Sequence, residues 1–186
     1  MAELITIIGG TNQGKSYFAK QIIKNPKIAC LVYDVQDGYG ATSKKDGDII
    51  LNLPLDWKAK RGRFYGDTQE FLHFANHREN TTIVIEEATI FFEGKTFQAM
   101  RKLIVDKWHA KNNIIILFHT INSVPPRILE MTDTVVLFKT ADDENTIQRK
   151  YRKLLPHMLS LRDKPDRTKL IINNFTGEIK NQKTEK

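Results

Sequence analysis

The chain alternates short apolar runs with segments in which apolar residues recur every three or four positions. Continuous apolar runs are typical of strands that are buried on both faces of a parallel sheet. The apolar runs are Leu4–Ile8, Ile28–Asp34, Thr81–Ile85, Ile114–Phe118 and Thr134–Phe138. With helical segments between them, they predict a doubly wound α/β fold with a mostly parallel sheet. A ligand would bind at the carboxyl ends of its strands.

The helical spacing and its flanking residues predict the other elements. Asp67, with Glu70 three residues later, is typical of a helix N-cap, and Pro156 is expected to bend or break the last helix. Helices are predicted for Lys15–Lys24, from Asp67 onward, for Thr96–Ala110, for Pro126–Met131 and from Ile147 to Met158; further strand material is predicted for Ile49–Leu53, Lys169–Asn173 and Glu178–Lys180, and an exposed loop for Ala41–Asp48.

The length and composition fit an ordinary globular protein. The chain has 186 residues, of which 40% are hydrophobic and 27% charged, so one domain is predicted for residues 1–180 and a polar tail for 181–186. No signal-peptide pattern opens the sequence and no apolar run approaches the ~20 residues of a membrane span, so a cytoplasmic location is expected. The single cysteine, Cys30, excludes an internal disulfide and a thiol zinc site.

Basic residues outnumber acidic ones by 29 to 22, which gives a net charge of +7 and a pI of about 9.4. This balance fits a polyanionic partner and a merely solvated surface equally well. One candidate surface for nucleic acid is the stretch Lys58–Arg63, in which Trp57, Phe64 and Tyr65 accompany the basic side chains. The other lies near the C-terminus and comprises Arg149, Lys150, Arg152, Lys153, Arg162, Lys164, Arg167 and Lys169, opposed by Asp163 and Asp166.

The sequence GGTNQGKS, residues 9–16, has the G-x-x-x-x-G-K-S spacing of a phosphate-binding loop and lies between a predicted strand and a predicted helix. Glycines allow a tight turn whose N–H groups point at phosphates, and the helix dipole adds positive potential. Lys15 is expected to contact the β- and γ-phosphates, and the Ser16 hydroxyl to bind Mg²⁺. The predicted nucleotide-binding residues are Gly9, Gly10, Thr11, Asn12, Gln13, Gly14, Lys15, Ser16 and Tyr17.

A second motif places two adjacent carboxylates, Glu86 and Glu87, directly after the buried run Thr81–Ile85. In hydrolysis of a nucleoside triphosphate, one acid holds the hydration shell of Mg²⁺ and a second orients or activates the attacking water. We therefore predict that Glu86 serves the metal and Glu87 the water. Two acids favour hydrolysis over transfer of a phosphoryl group to a small acceptor.

Together these segments resemble the FtsK/HerA-type P-loop ATPases, which have a RecA-like architecture with additional strands. GGTNQGKS is similar to their Walker A motif, IVIEE to their Walker B motif, and LVYDVQDGYG to their second strand. Residues 114–140 are similar to the strand that ends in a polar sensor and the Pro-containing segment that follows. The resemblance implies a sensor role for His119, where these ATPases commonly have Gln, and Glu86 stands where most have Asp.

The resemblance is strongest to the small genome-packaging ATPases of tailless, membrane-containing viruses and phages. It implies a homo-oligomeric ring, a pentamer or hexamer, that uses ATP and Mg²⁺ to drive double-stranded DNA into a capsid, in the host cytoplasm or at the virion vertex. Capsid or membrane vertex proteins are possible partners. Such rings complete each site with an arginine from the neighbouring subunit, for which Arg101 is preferred here and Arg127 is the second candidate.

Three other functions fit parts of the sequence. A phage assembly or export ATPase that resembles the zonula occludens toxin family would share both motifs and the basic-aromatic Lys107-Trp108-His109, but such proteins usually carry a membrane span further on. A nucleotide or small-molecule kinase would use Arg149–Arg167 as a lid. A regulatory module would bind nucleotide without hydrolysing it. A small GTPase is disfavoured because no Asn-Lys-x-Asp motif occurs.

Overall fold

The computed structural model describes residues 2–25, 27–35, 39, 60–64 and 66–182. Several predictions from the sequence fall outside these residues. They are the loop Ala41–Asp48, the strand Ile49–Leu53, the side chains of Trp57, Lys58 and Tyr65 in the first basic stretch, and most of the polar tail.

From Arg61 to Phe138, strands and α-helices alternate as the hydrophobic pattern predicts, and two further α-helices and then two strands follow. The strands are β1 (Leu4–Ile8), β2 (Cys30–Tyr33), β3 (Arg61–Phe64), β4 (Thr82–Ile85), β5 (Asn113–Phe118), β6 (Thr134–Phe138), β7 (Lys169–Asn173) and β8 (Ile179–Gln182). The α-helices are α1 (Lys15–Ile23), α2 (Thr68–Asn76), α3 (Thr96–Val105), α4 (Pro126–Met131), α5 (Glu144–Lys150) and α6 (Leu155–Leu161), and two 3₁₀ helices lie at Ala88–Phe92 and Arg152–Leu154. The described strands form a mostly parallel sheet in the order β3-β2-β4-β5-β1-β6-β7-β8.

The chain divides into two compact units: Met1–Glu3 with Ser16–Ile116, and Leu4–Lys15 with Leu117–Lys186. In the first unit, β2 pairs in parallel with β3 and β4, and β4 pairs in parallel with β5. Its core contains an aromatic cluster in which the ring of Tyr33 lies 5.0 Å from Phe71 and 4.8 Å from Phe91, both edge-on. The assignment of residues 1–180 to one domain stays a prediction.

In the second unit, β1 pairs in parallel with β6, whereas β6–β7 and β7–β8 are antiparallel. Phe138 at the end of β6 is paired with Lys169 at the start of β7. The carboxyl end of β6 and the loop that leads into β7 therefore lie at the same edge of the sheet.

Two predicted helices end earlier than expected. The helix predicted for Thr96–Ala110 stops at Val105, and turns follow because the Asn112 N–H donates to Lys107 O (2.9 Å) while its side chain bonds the backbone of Thr81 and Arg78. Trp108, counted in the helical pattern, is exposed. The C-terminal helix breaks at Tyr151 rather than at Pro156, which lies in the first turn of α6, where a missing N–H costs nothing.

No helix in the described ranges combines the length and the apolar character that a membrane crossing needs.

Candidate functional site

The predicted phosphate loop connects β1 to α1, and its first residues are fixed to the ends of neighbouring strands of the second unit. The Gly9 N–H donates to Phe118 O (3.1 Å), the last residue of β5, and the Gly10 N–H donates to Lys139 O (2.7 Å), just after β6. The loop thus begins at the carboxyl ends of parallel strands, where ligands of α/β sheets bind.

The conformation of the phosphate loop requires Gly9 and Gly14 for two different reasons. A Cβ on Gly9 would lie 2.6 Å from the Cβ of Phe138, so only glycine fits against that strand. Gly14 has φ +96° and Asn12 φ +62°, both in the left-handed region. Within the described part of the chain, the backbone N–H groups of Asn12 and Gly14 form no hydrogen bond. Such a loop offers N–H donors for the oxygens of an anion.

Lys15 and the predicted sensor His119 lie together in the second unit. The Lys15 side chain is buried; its Nζ donates to Gly10 O at 2.9 Å and lies 3.4 Å from His119 Nδ1. An ammonium group has no acceptor, so Nδ1 must present its lone pair.

The other loop residues predicted to bind nucleotide differ in exposure. Thr11 and Asn12 are exposed, Gln13 and Ser16 are half-buried, and the Tyr17 side chain is 59% exposed. Ser16 lies in the first turn of α1. A hydroxyl at this position is a hard oxygen donor of the kind that Mg²⁺ prefers.

In the first unit, the two predicted acids follow β4, whose residues are all buried. The Glu86 N–H donates to Tyr33 O (3.2 Å) and extends the β2–β4 ladder by one bond. Glu87 then adopts φ 51° and ψ 46°, a left-handed conformation that is costly for a residue with a Cβ, and the 3₁₀ helix Ala88–Phe92 begins. Both glutamates are half-buried at the carboxyl end of the strand.

Tyr39 is a residue of this site that the sequence reasoning left without a role. Its buried hydroxyl donates to Glu86 Oε1 (2.8 Å) and its N–H to Asp34 Oδ2 (2.9 Å), while Arg63 pairs with the same carboxylate at 3.4 Å. Burial, and then the nearby Glu86 carboxylate, raise the pKa of Tyr39 well above its ordinary value, so the hydroxyl keeps its proton and donates. In the sequence, its one sign is its place in the segment DVQDGYG.

The two candidate arginines for completing a neighbouring site are both exposed, Arg101 on α3 and Arg127 on α4. In the first basic stretch, the described arginines bond within their own unit. Arg61 donates to Ile23 O (2.9 Å), Asn25 O (2.9 Å) and Ile28 O (2.6 Å), and Arg63 pairs with Asp34. These contacts explain why a basic segment forms the edge strand β3.

The C-terminal basic residues are exposed with one exception. Lys169 is buried at the start of β7, and burial lowers its pKa. It therefore does not belong to a basic surface. The exposed members are Arg149, Lys150, Arg152, Lys153, Arg162, Lys164 and Arg167.

No protein-family model matches the chain, and no curated protein does. Solved structures do match over its whole length. The genome packaging NTPase B204 from Sulfolobus turreted icosahedral virus 2, in complex with ATP-gammaS, has a TM-score of 0.78 at 18% identity and covers 98% of this chain and 97% of that chain. The DNA-packaging ATPase B204 from Sulfolobus turreted icosahedral virus gives 0.78 at 16% identity, with 99% and 98% covered. The chain therefore has the α/β fold of these P-loop NTPases.

Proposed function

We propose that this chain is an ATP-hydrolysing motor that moves double-stranded DNA into a preformed viral capsid. The observation that carries the proposal is the match of the whole fold to B204, which is a genome packaging NTPase. In addition, the N–H groups of Asn12 and Gly14 in the phosphate loop form no hydrogen bond within the described ranges. A protein with the same fold but no nucleotide to bind would have no need for a buried lysine on that loop.

In this proposal the loop binds the phosphates of ATP. The N–H groups of Asn12 and Gly14 bond phosphate oxygens, and Lys15 exchanges its contact with Gly10 O for the β- and γ-phosphates. Lys15 Nζ lies 3.4 Å from His119 Nδ1, and in this proposal its ammonium balances the charge of the phosphates. His119 then detects whether the γ-phosphate is present.

Magnesium fits the donor set that the first unit supplies, a hydroxyl from Ser16 and a carboxylate from Glu86. When bound, the ion neutralises phosphate charge and makes the γ-phosphorus more electrophilic. Glu86 would hold a water of the ion's hydration shell, and Tyr39 fixes the orientation of that carboxylate by donating to Oε1. Glu87 orients or activates the attacking water.

The assembly in this proposal is a ring of five or six copies, in which Arg101 of one copy completes the ATP site of the next. The exposed basic side chains between Arg149 and Arg167 contact DNA phosphates, which makes binding dependent on salt but not on sequence. Capsid or membrane vertex proteins hold the ring in place.

The test is ATP hydrolysis with and without double-stranded DNA over a range of salt concentrations. We expect DNA to raise turnover and the stimulation to fade steeply as salt rises, because phosphate contacts are lost with counterion competition. Glu87→Gln should lower turnover by about 10²-fold or more while ATP still binds. Glu93→Gln, at an exposed glutamate after the same 3₁₀ helix, is the matched control.

Several outcomes would contradict the proposal. Turnover that DNA does not change would refute the motor, and Glu87→Gln with wild-type turnover would refute the role of Glu87. Phosphorylation of a nucleotide or small acceptor would instead support the kinase.

A further inference from the structure

The loop between α6 and β7, residues 162–168, lies against the phosphate loop within the second unit. Because β7 is antiparallel to β6 and Lys169 pairs with Phe138, the residues before Lys169 are at the edge where β6 ends. Gly10 bonds the next residue after β6, Lys139. Sheet register alone therefore brings the C-terminal loop to the phosphate loop, across more than 150 residues of sequence.

Gln13 fastens the two loops together. Its Oε1 accepts from the Arg167 N–H (3.2 Å), and its Nε2 donates to Asp166 Oδ1 (3.5 Å). The same oxygen of Asp166 lies 3.5 Å from Lys139 Nζ. The negative charge of Asp166 is thus paired with Lys139. Arg167, the next residue in sequence, contacts Gln13 through its backbone N–H.

The backbone of Arg167 places its side chain over Gly14. Arg167 has φ 65°, a left-handed conformation that favours glycine. Its Cγ and Cβ lie 3.7 Å and 3.9 Å from the position that a Cβ on Gly14 would take. Beside it, the N–H groups of Asn12 and Gly14 form no hydrogen bond with any residue that the structure describes. An arginine kept in a strained conformation at such a loop suggests that the side chain has a role that glycine could not fill.

We propose that Arg167 binds a phosphate of the nucleotide held by the phosphate loop of its own chain. The guanidinium group suits this ligand because its fork of N–H donors matches two phosphate oxygens. The inference rests on the proposed binding of ATP and adds a residue to that site. It moves Arg167 from the candidate DNA surface to the nucleotide.

Arg167→Gly is the most direct variant, because glycine keeps the left-handed backbone and removes the guanidinium. Binding of ATP, ADP and adenosine to the full chain is measured by calorimetric titration. We expect the affinity for ATP and ADP to fall about tenfold to a hundredfold, the range of a lost charge-assisted hydrogen bond. Binding of adenosine should stay unchanged, because it has no phosphate. Lys180→Ala, which removes one exposed charge from β8, should bind all three ligands like wild type.

The results separate this inference from the proposed function. Wild-type affinity for ATP in Arg167→Gly would overturn the inference and leave ATP binding in place, provided that Lys15→Ala abolishes it. An equal loss of ATP affinity in Arg167→Gly and Lys180→Ala would also overturn it, because the loss would then follow from net charge alone. If Arg167→Gly lowers the affinity for ATP only at protein concentrations at which the chain assembles, Arg167 contacts the nucleotide of a neighbouring subunit. That result would refute a contact within one chain. A wild-type chain that binds no ATP would overturn both proposals.

Discussion

At the residue scale, the environment of Glu86 depends on Tyr39. Tyr39 is 1% exposed, and its hydroxyl donates a hydrogen bond to the Glu86 carboxylate. A hydrogen bond to a charged acceptor is stronger than one to a neutral acceptor. Lys20 Nζ lies 5.2 Å from the centre of the same ring and favours its electron-rich face. Tyr39 is thus held at its hydroxyl, at its backbone N–H and at one face of its ring.

Replacing Tyr39 by Phe removes the hydroxyl alone. We expect the free energy of unfolding to fall by about 1.5–3 kcal/mol, the contribution of a hydrogen bond to a charged group, as measured by urea denaturation. If Glu86 serves Mg²⁺, the variant should also need more Mg²⁺ for half-maximal ATP hydrolysis, because its carboxylate has lost one restraint.

Tyr33→Phe is the matched control for Tyr39→Phe. Tyr33 is also buried, but its hydroxyl donates to a neutral backbone carbonyl, Gly66 O (2.9 Å). A smaller loss of stability, about 1 kcal/mol, and an unchanged Mg²⁺ requirement are expected. Equal Mg²⁺ requirements in the two variants would contradict a role of Tyr39 in orienting Glu86.

The glycines show how far a motif can predict a residue's role. The spacing of GGTNQGKS predicts tight turning at Gly9 and Gly14, and the positive φ of Gly14 agrees. Gly9 is required for another reason, its contact with Phe138. That contact joins residues from two distant strands, and no local pattern carries such information.

The position of Lys169 in β7 could not be predicted by counting basic residues along the sequence. By sequence, Lys169 belongs with the other basic residues before it, but it occupies a buried position opposite Phe138. Burial disfavours the ammonium ion and lowers the pKa of Lys169 below the ordinary 10.5. The buried side chain is therefore not a contact for DNA.

We expect Lys169→Met to raise the midpoint of thermal unfolding at neutral pH by up to about 4 °C, which corresponds to about 1 kcal/mol for a chain of this size. Below the lowered pKa, lysine is charged in both states and folding bears the desolvation cost. As the pH rises from the lowered pKa toward 10.5, the folded chain loses this proton before the unfolded chain does, so the stability of the wild type rises and the advantage of methionine shrinks. Calorimetry at neutral and alkaline pH measures both effects.

Lys180→Met, at an exposed lysine of β8, is the control for Lys169→Met and should change stability by less than about 0.5 kcal/mol. A Lys169→Met protein less stable than wild type at neutral pH would show that partners of the ammonium outweigh its desolvation.

Helix boundaries were predictable where local chemistry sets them. Asp67 caps α2 as expected, and its carboxylate accepts from the N–H groups of Gln69 and Glu70. The end of α3 was not predictable, because Asn112 fixes the following turns through contacts with Thr81 and Arg78. An amide side chain that bonds backbone some thirty residues away leaves no periodic signal in its own segment.

At the scale of the whole molecule, the parallel part of the sheet follows from the continuous apolar runs. The order of the strands and the antiparallel addition of β7 and β8 do not, because a strand's hydrophobic pattern is the same whichever way it runs beside its neighbour. That addition nevertheless shapes the candidate site. It brings Asp166 and Arg167 to Gln13, a pairing that neither motif predicts.

The proposed ring makes a prediction that a single chain cannot satisfy. If Arg101 completes the site of a neighbour, Arg101→Ala should lower turnover by about 10³-fold or more but leave ATP binding intact. Lys15→Ala should lose ATP binding yet still offer its Arg101 to a neighbour. A mixture of the two inactive variants should regain a fraction of wild-type ATPase activity, because some Arg101→Ala sites then lie beside a Lys15→Ala subunit. The activity is measured as the mixing ratio is varied at constant total protein.

The same mixing experiment with Arg127→Ala in place of Arg101→Ala decides between the two exposed arginines. Recovery only in the Arg101→Ala mixture would support the assignment, since a residue that acts within its own chain cannot be supplied by another. Recovery only with Arg127→Ala would transfer the role to α4. If neither mixture exceeds the summed activities of its components, the neighbouring subunit does not complete the site through either arginine, and the shared-site ring loses its support.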